Sequence, residues 1–343
     1  MESQEKLYSV DNKISSDFYI IKSVNLCKPV CVLPSDRYVQ IQQPNFEYQY
    51  ANSLRRILEE GIEVENRTGI NTLSVQHQYF FIQDTLFNFP RIKGKKVFPK
   101  MALKELLWML NGRTDVQWLK DRGVNYWDEW ANKEGTIGRS YGWQFRSFNG
   151  EDQLENMLQE MIKNPLGRRH IINLWNAADI DQMELPPCFY DFHFCCIPTP
   201  NNKNVYNVDL HVRSRSEDSF LGQPYDFMFV TWFLTVVCEY LNEKLSEVKY
   251  IQRNIHYTAD DYHLYVNHKE QVKQYLENVQ ENKECLIESK CVTRLPKYKN
   301  ITFIDQYIDY LDRDMKEIYV GDNCIGNDKI DFEYPQIKAE VAV

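Results

Sequence analysis

One thiol and a scatter of arginines carry most of the chemistry this sequence can offer. Cys188 stands in LPPCFYDF, where Pro186 and Pro187 restrict the approach and a strand-like run follows. The thiol therefore sits at an element boundary. A free cysteine is more often a small buried hydrophobe. To act as a nucleophile it needs cations nearby that hold its thiolate. Arg168-Arg169 after NPLG, and Arg213 and Arg215 in HVRSRSED, are the candidates. Each pair can equally be a solvated charge pair; together they can form an anion site.

Glu105 in KELLW lies among Leu103, Leu106, Leu107 and Trp108. It either shares a polar face with Lys104 or stands in an apolar cleft, where burial raises a carboxyl toward neutrality and makes it a proton shuttle. Trp127 and Trp130 in YWDEW are core residues or, at spacing three on a helical turn, the wall of a pocket for a flat ligand.

These side chains need a scaffold, and the composition supplies one. The chain has 343 residues, 43% of them apolar and 26% charged, with 22 Tyr, 18 Phe and 7 Trp. That excludes a disordered chain. Forty basic against 49 acidic residues leave a net charge of −9, so there is no general attraction for nucleic acid or an anionic membrane. Any phosphate must meet a local arginine cluster. No apolar run approaches a membrane span, and the start MESQEKLYSVDNK lacks a secretory core, so a cytoplasmic location is expected. Nine cysteines without regular spacing read as free thiols. Cys27 and Cys31 lack matching ligand pairs, and Cys195-Cys196 lies in a strand-like run, so no metal site is expected.

Tyr50, Leu54, Ile57 and Leu58 share a helical face from Glu47 to a stop at Gly61. TLSVQHQYFFI after Arg67-Thr68-Gly69 predicts a strand, Met101 to Gly112 a buried helix, and 152–162 an amphipathic helix halted at Asn164-Pro165. RRHIINLW (168–175) and FYDFHFCCI (189–197) predict strands. In VDLHVRS, Val208, Leu210 and Val212 alternate with Asp209, His211 and Arg213. FMFVTWFLTVVCEYL (227–241) is too long and continuous for a strand and predicts a core helix. Residues 1–44 show no sustained period and read as an extension of unknown role. The expectation is one α+β domain over 45–343.

The order of these segments is more telling than any one of them. NRTG, KELLW, WDEW, YGWQF, NPLGRR, PPC, RSRSED-FLGQP, HLYVNH and a terminal IKAEVAV together resemble the thymidylate synthase family, from about Glu47 to Val343. The resemblance implies that family's fold, a mixed β-sheet at a homodimer interface covered by helices. It also implies 5,10-methylenetetrahydrofolate as co-substrate and a pyrimidine deoxynucleoside monophosphate as substrate. Cys188 matches the nucleophile that adds to C6 of the base. Arg67, Arg168, Arg169, Arg215 and Ser216 match the phosphate cradle, with Arg168-Arg169 reaching across the dimer. His263 and Tyr265 match contacts to the sugar 3′-hydroxyl, and Glu105 and Tyr141 match proton-handling residues. Trp127, Trp130, Gly222 and Asp218 match the folate wall and pteridine contacts, Asp218 also standing with the catalytic set. Lys95 matches the lysine that meets the folate glutamate tail, and Val343 ends a segment that closes over the bound ligands. The arginines are expected both to anchor phosphate bidentately and to depress the thiol pKa.

Two departures bear on the base. In the family's FLGxPFN run the Asn amide pairs with uracil N3–H and O4; here the run is Phe220-Leu221-Gly222-Gln223-Pro224-Tyr225-Asp226. Cytosine presents a 4-amino donor and an N3 acceptor. An ionised Asp accepts from that amino group and can hold a proton shared with N3, whereas it would set oxygen against uracil O4. The residue after the nucleophile, usually His, is Phe189. Asn-to-Asp is also the change seen in the family's deoxycytidylate hydroxymethylase branch. The expected activity is therefore hydroxymethylation of dCMP at C5, supplying a modified DNA base and hinting at a phage or virus, whose enzyme would work in the host cytoplasm. A deoxycytidylate methylase, a thymidylate synthase with an unusual base contact, and a non-catalytic nucleotide- or RNA-binding relative are the alternatives.

Overall fold

Gln223 to Lys244 form a 22-residue helix with nearly every face buried, and the sheet is built around it. The structure, a computed structural model, describes residues 46–281 and 291–322 and the backbone of four short strands between residues 9 and 40. The chain divides into two compact units, Met1–Pro44 and Asn45–Val343. In the first, β1 (Ser9–Val10), β2 (Tyr19–Lys22), β3 (Val30–Val32) and β4 (Val39–Gln40) pair antiparallel in sequential order. Strands of two to four residues are too short to show a period, so the sequence reading found none there. Cys31 falls in β3; Cys27 lies outside the described residues.

The second unit runs α1 (Phe46–Glu60), β5 (Ile62–Val64), β6 (Thr72–Ile82), α2 (Pro99–Leu110), α3 (Gln117–Lys120), α4 (Tyr141–Ser147) and α5 (Gln153–Lys163). It continues through β7 (Ile171–Asn173), β8 (Phe189–Thr199), β9 (Asn202–Asp218), α6 (Gln223–Lys244), β10 (Lys249–Tyr265) and α7 (Lys269–Glu281). A small hairpin of β11 (Cys291–Arg294) and β12 (Tyr319–Asp322) flanks α8 (Ile304–Arg313). The six-stranded sheet has the order β5-β6-β10-β9-β8-β7. β9 and β10 are parallel and every other pair is antiparallel. A parallel pair needs a crossover, and α6 is that crossover. This is the α+β mixed sheet the sequence predicts.

The core lies between the sheet and α6. Phe233 meets Phe145, Phe192 and Phe194 edge to face, with centroids 5.1–5.6 Å away. Val208, Leu210 and Val212 face inward as their alternation predicts, but Asp209 is buried too. Arg253 holds it, Nε to Oδ1 at 2.8 Å, which offsets the desolvation of the charge. RRHIINLW is only partly a strand. Its central residues Ile171–Asn173 pair with β8, while Arg168 and Arg169 stay exposed in the turn after Asn164-Pro165. Asn164 accepts from Gly167 N–H there (2.8 Å), which bends the chain before the strand starts. Among the described residues no helix is long and apolar enough to cross a membrane.

Two loops are tied together beside the sheet. Gly138 and Met183 form an isolated antiparallel bridge, with Arg139 N–H donating to Gln182 O at 2.9 Å. Gly138 has φ +68°, and a Cβ there would fall 2.1 Å from Gln182 O, so both conformation and space demand glycine. Ser140 Oγ donates to Leu185 O at 2.5 Å. The chain entering α4 and the chain leading to Cys188 therefore move as one.

Candidate active site

Cys188 is the last residue before β8, at a break in register between Phe189 and Asp191. Bulges of this kind re-aim side chains next to active sites. Three contacts fix the position. Cys188 N–H donates to Tyr141 Oη at 2.8 Å, its carbonyl accepts from Arg215 N–H at 2.9 Å, and Arg215 reaches the carbonyls of Pro187 and Pro186 at 2.9 and 3.0 Å. Arg215 thus holds the backbone of the thiol loop as well as its charge. Its guanidinium also lies 5.4 Å from the Trp175 ring.

The thiol is not depressed as expected. Burial pushes it up, and so does the nearby Asp226; Arg215, Tyr141 and Arg67 pull it down without prevailing. This corrects the sequence reading, in which the arginines dominate. The cause is geometric: Arg67 is exposed, and Arg168 and Arg169 lie on the surface, Arg169 with only a 3.6 Å ion pair to Glu160. The Cys188 proton must therefore be removed before attack.

Glu105 stands in the apolar cleft. Trp127 Nε1 donates to one carboxyl oxygen at 2.8 Å and Tyr126 Oη to the other at 2.7 Å. Desolvation outweighs both bonds and raises the carboxyl to about 7. It is then protonated below pH 7 and ionised above. If Glu105 donates protons in turnover, kcat falls as pH rises through about 7, and Glu105→Gln loses that limb. The same variant should depress kcat by roughly 10²–10⁴-fold with nucleotide affinity little changed. Measured pH profiles and Kd values check this; a pure affinity loss would make Glu105 structural.

Trp127 is 6% exposed, edge-on to Tyr141 (5.5 Å, 77°) and tilted against Trp108. Trp130 is half-buried, with the Arg67 guanidinium 5.1 Å from its ring. Tyr141 is 5% exposed and feels both Cys188 and Asp226. At the ends of the parallel pair, Ser216, Glu217 and Asp218 lie beside Asp261, Tyr262 and His263. His263 Nδ1 is 3.2 Å from Asp261 Oδ2, and Tyr265 shares its surroundings with Asn66, Arg67, Thr68 and Asp218. Asp218 Oδ1 accepts from Phe220 and Leu221 N–H at 3.0 and 3.2 Å, shaping the turn through Gly222 into α6.

Lys95, matched to the lysine that meets the folate glutamate tail, turns inward. It is buried, donates to the Phe220 carbonyl and lies 4.1 Å from the Phe220 ring. Burial lowers it to about 8, against the pull of Asp218. Its ammonium supports the Phe220 turn. Val343 and the rest of IKAEVAV lie outside the described residues.

Asp226 opens the first turn of α6 and shares the site with Glu217, Glu105, Asp218 and Cys188. The sequence reading missed Glu217. Alternation along β9 would put it with Arg213 on the outer face, yet it is 1% exposed. Tyr257 Oη donates to its Oε2, and its side chain lies against Asp226. Two carboxyls can share a hydrogen bond only when one carries a proton. Burial raises both, Glu217 to about 8 and Asp226 well above the usual carboxylate range. The one available signal was an acidic residue inside the RSED run. Phe189 stacks on Phe229 (5.6 Å, 18°) and packs against Phe192 and Tyr257, so the neighbourhood of Tyr257 is apolar.

A cysteine held beside a tyrosine, an arginine and a proton-bearing glutamate suits nucleophilic addition to a ring carbon. Residues 48–310 match the family model described as thymidylate synthase. The chain belongs to the thymidylate synthase family. A thymidylate synthase of Mycoplasma mobile is 34% identical, over 75% of this chain and 95% of that protein. Members carry out folate-dependent transfer of a one-carbon unit to C5 of a pyrimidine nucleotide, and this chain is an enzyme of that kind. The family uses methylenetetrahydrofolate, and the residues present fit a reduced folate. Trp130 is partly exposed and can meet a flat ring, and Asp218, also partly exposed, has acceptor oxygens of the kind pterin N–H groups need.

Proposed function

We propose that the enzyme transfers a one-carbon unit to C5 of dCMP and gives 5-hydroxymethyl-dCMP. The observation that carries this reading is Asp226, an acid where a uracil-reading amide would stand, partly buried beside the fully buried carboxyl of Glu217. Cytosine offers an amino donor and a ring acceptor, and a carboxyl carrying a shared proton answers both. Uracil would face oxygen with oxygen. Phe189 supports the same reading, because its ring leaves no polar group where the family's His would order water.

Each residue then has a task. Arg67, Arg215 and Ser216 take the 5′-phosphate, and His263 and Tyr265 the sugar. Cys188 adds to C6 and turns C5 into an enamine-like carbon, splitting one hard step into easier ones. Bound methylenetetrahydrofolate supplies the one-carbon unit to that carbon. Trp127, Trp130, Asp218 and Gly222 would hold it, Lys95 supporting from below. Glu105 and Tyr141 move protons at the base.

Arg168 and Arg169 are exposed on their own protomer, which supports their serving the phosphate of a partner in a homodimer. Light scattering should then give a dimer; a fully active monomer would contradict it. The two retained tryptophans, which suit holding the folate in place for hydride transfer, favour a second reading, methylation of dCMP. Mass spectrometry of the product decides between them. Addition of a hydroxymethyl group supports the first reading, and addition of a methyl group overturns it in favour of the second.

A further inference from the structure

Glu217 is buried more completely than any acid the proposed chemistry uses, yet that chemistry gives it no task. Its Oε2 accepts from Tyr257 Oη on β10. Its Oε1 is buried and meets no N–H or O–H donor. The group it does meet is Asp226, in the first turn of α6. An unsatisfied buried carboxyl oxygen is costly, and a proton held between the two acids satisfies it. Groups acting on this pair include Cys188, Asp218 and Glu105, Tyr257 and Tyr262 on β10, Tyr141 on α4, Tyr50 on α1, and Tyr126. None of these is a cation, so none of them favours ionising both acids.

We infer that Glu217 is a specificity-determining positioning residue: with Asp226 it stores a single proton in the base-reading pocket and so lets Asp226 act as an acid toward a ring nitrogen acceptor of the substrate. This rests on the cytosine reading above. In the addition step the Cys188 Sγ–C6 bond forms. The C5=C6 π pair moves into C4–C5, and the C4=N3 π pair moves onto N3, which takes the stored proton. The proton released by the Cys188 thiol returns the pair to its single-proton state. The thiol proton has in effect passed to N3, and charge balances without an outside acid. Tyr257 holds Glu217 in place, and Phe189 and Phe227 pack against the Tyr257 ring.

The test is Glu217→Gln. Glutamine keeps the size, accepts from Tyr257 and donates to Asp226, but it carries no exchangeable acid proton. Asp226 should then ionise as an ordinary carboxylate. We expect kcat for dCMP to fall about 100-fold with KM within threefold. The wild-type-minus-Glu217→Gln infrared difference spectrum of the nucleotide-free protein, taken at one pH so that the Glu105 band cancels, should show the loss of one buried protonated carboxyl. Glu217→Asp should restore part of the rate, which a role in packing alone would not predict. Should the Gln variant fold poorly, Tyr257→Phe gives the same test, with an expected several-fold fall in kcat for dCMP.

Unchanged kcat in either folded variant, or a wild-type-minus-variant difference spectrum that shows no lost protonated carboxyl, would overturn the inference. Wild-type kinetics separate this from failure of the substrate reading. If the native enzyme turns over dUMP in preference to dCMP, the cytosine reading itself is lost. If it prefers dCMP and Glu217→Gln is silent, only the role of Glu217 is lost.

Discussion

Asp226→Asn is expected to move substrate preference from dCMP toward dUMP by about 2–4 kcal/mol, read as the ratio of kcat/KM for the two nucleotides. That corresponds to roughly 30- to 1,000-fold. One base gains a matched donor–acceptor pair while the other loses one. Phosphate and sugar contacts are common to both substrates and cancel in the ratio. Glu217 adjusts the estimate. An Asn amide has two N–H groups, and Glu217 will compete for one of them, so the lower end of the range applies if the amide turns toward Oε1. Steady-state kinetics with both nucleotides measure the swing. An unchanged ratio would leave Asp226 without a part in reading the base.

Cys188→Ser carries the larger absolute effect. Its turnover should fall by about 10⁴-fold or more, because the lost step is covalent and a serine hydroxyl is a far weaker nucleophile than a thiol. Nucleotide binding should remain within a few-fold of wild type. The backbone contacts that position residue 188, to Tyr141 Oη and from Arg215 N–H, do not involve the sulfur, so the loop keeps its shape. Calorimetric titration with nucleotide and a turnover assay separate the two quantities. Activity within tenfold of wild type would remove Cys188 as nucleophile.

Much of this was legible in the residues. Periodicity located α1, α5, α6, β6, β8 and β9, since each buries one face or, for α6, all faces. The position of Cys188 at an element boundary followed from Pro186-Pro187 and the strand beyond. What could not be read depends on contacts distant in sequence. Asp209 and Glu217 occupy polar positions of an alternating strand, and only Arg253 in one case, and Tyr257 with Asp226 in the other, explain their burial. The raised thiol is of the same kind: of the four arginines matched to the phosphate cradle, Arg67, Arg168 and Arg169 are exposed and only Arg215 is partly buried. Lys95 could be aligned by motif, but its inward turn beneath Phe220 could not.

Whether this member of the family reads cytosine can be tested on the native enzyme without any substitution. Tritium release from C5 should be measured with labelled dCMP and labelled dUMP, in the presence of methylenetetrahydrofolate. Release from dCMP is expected with a kcat/KM well above that for dUMP, by about tenfold or more, the discrimination expected of a mismatched buried polar pair. Faster release from dUMP would contradict it and leave a thymidylate synthase with an acid at position 226.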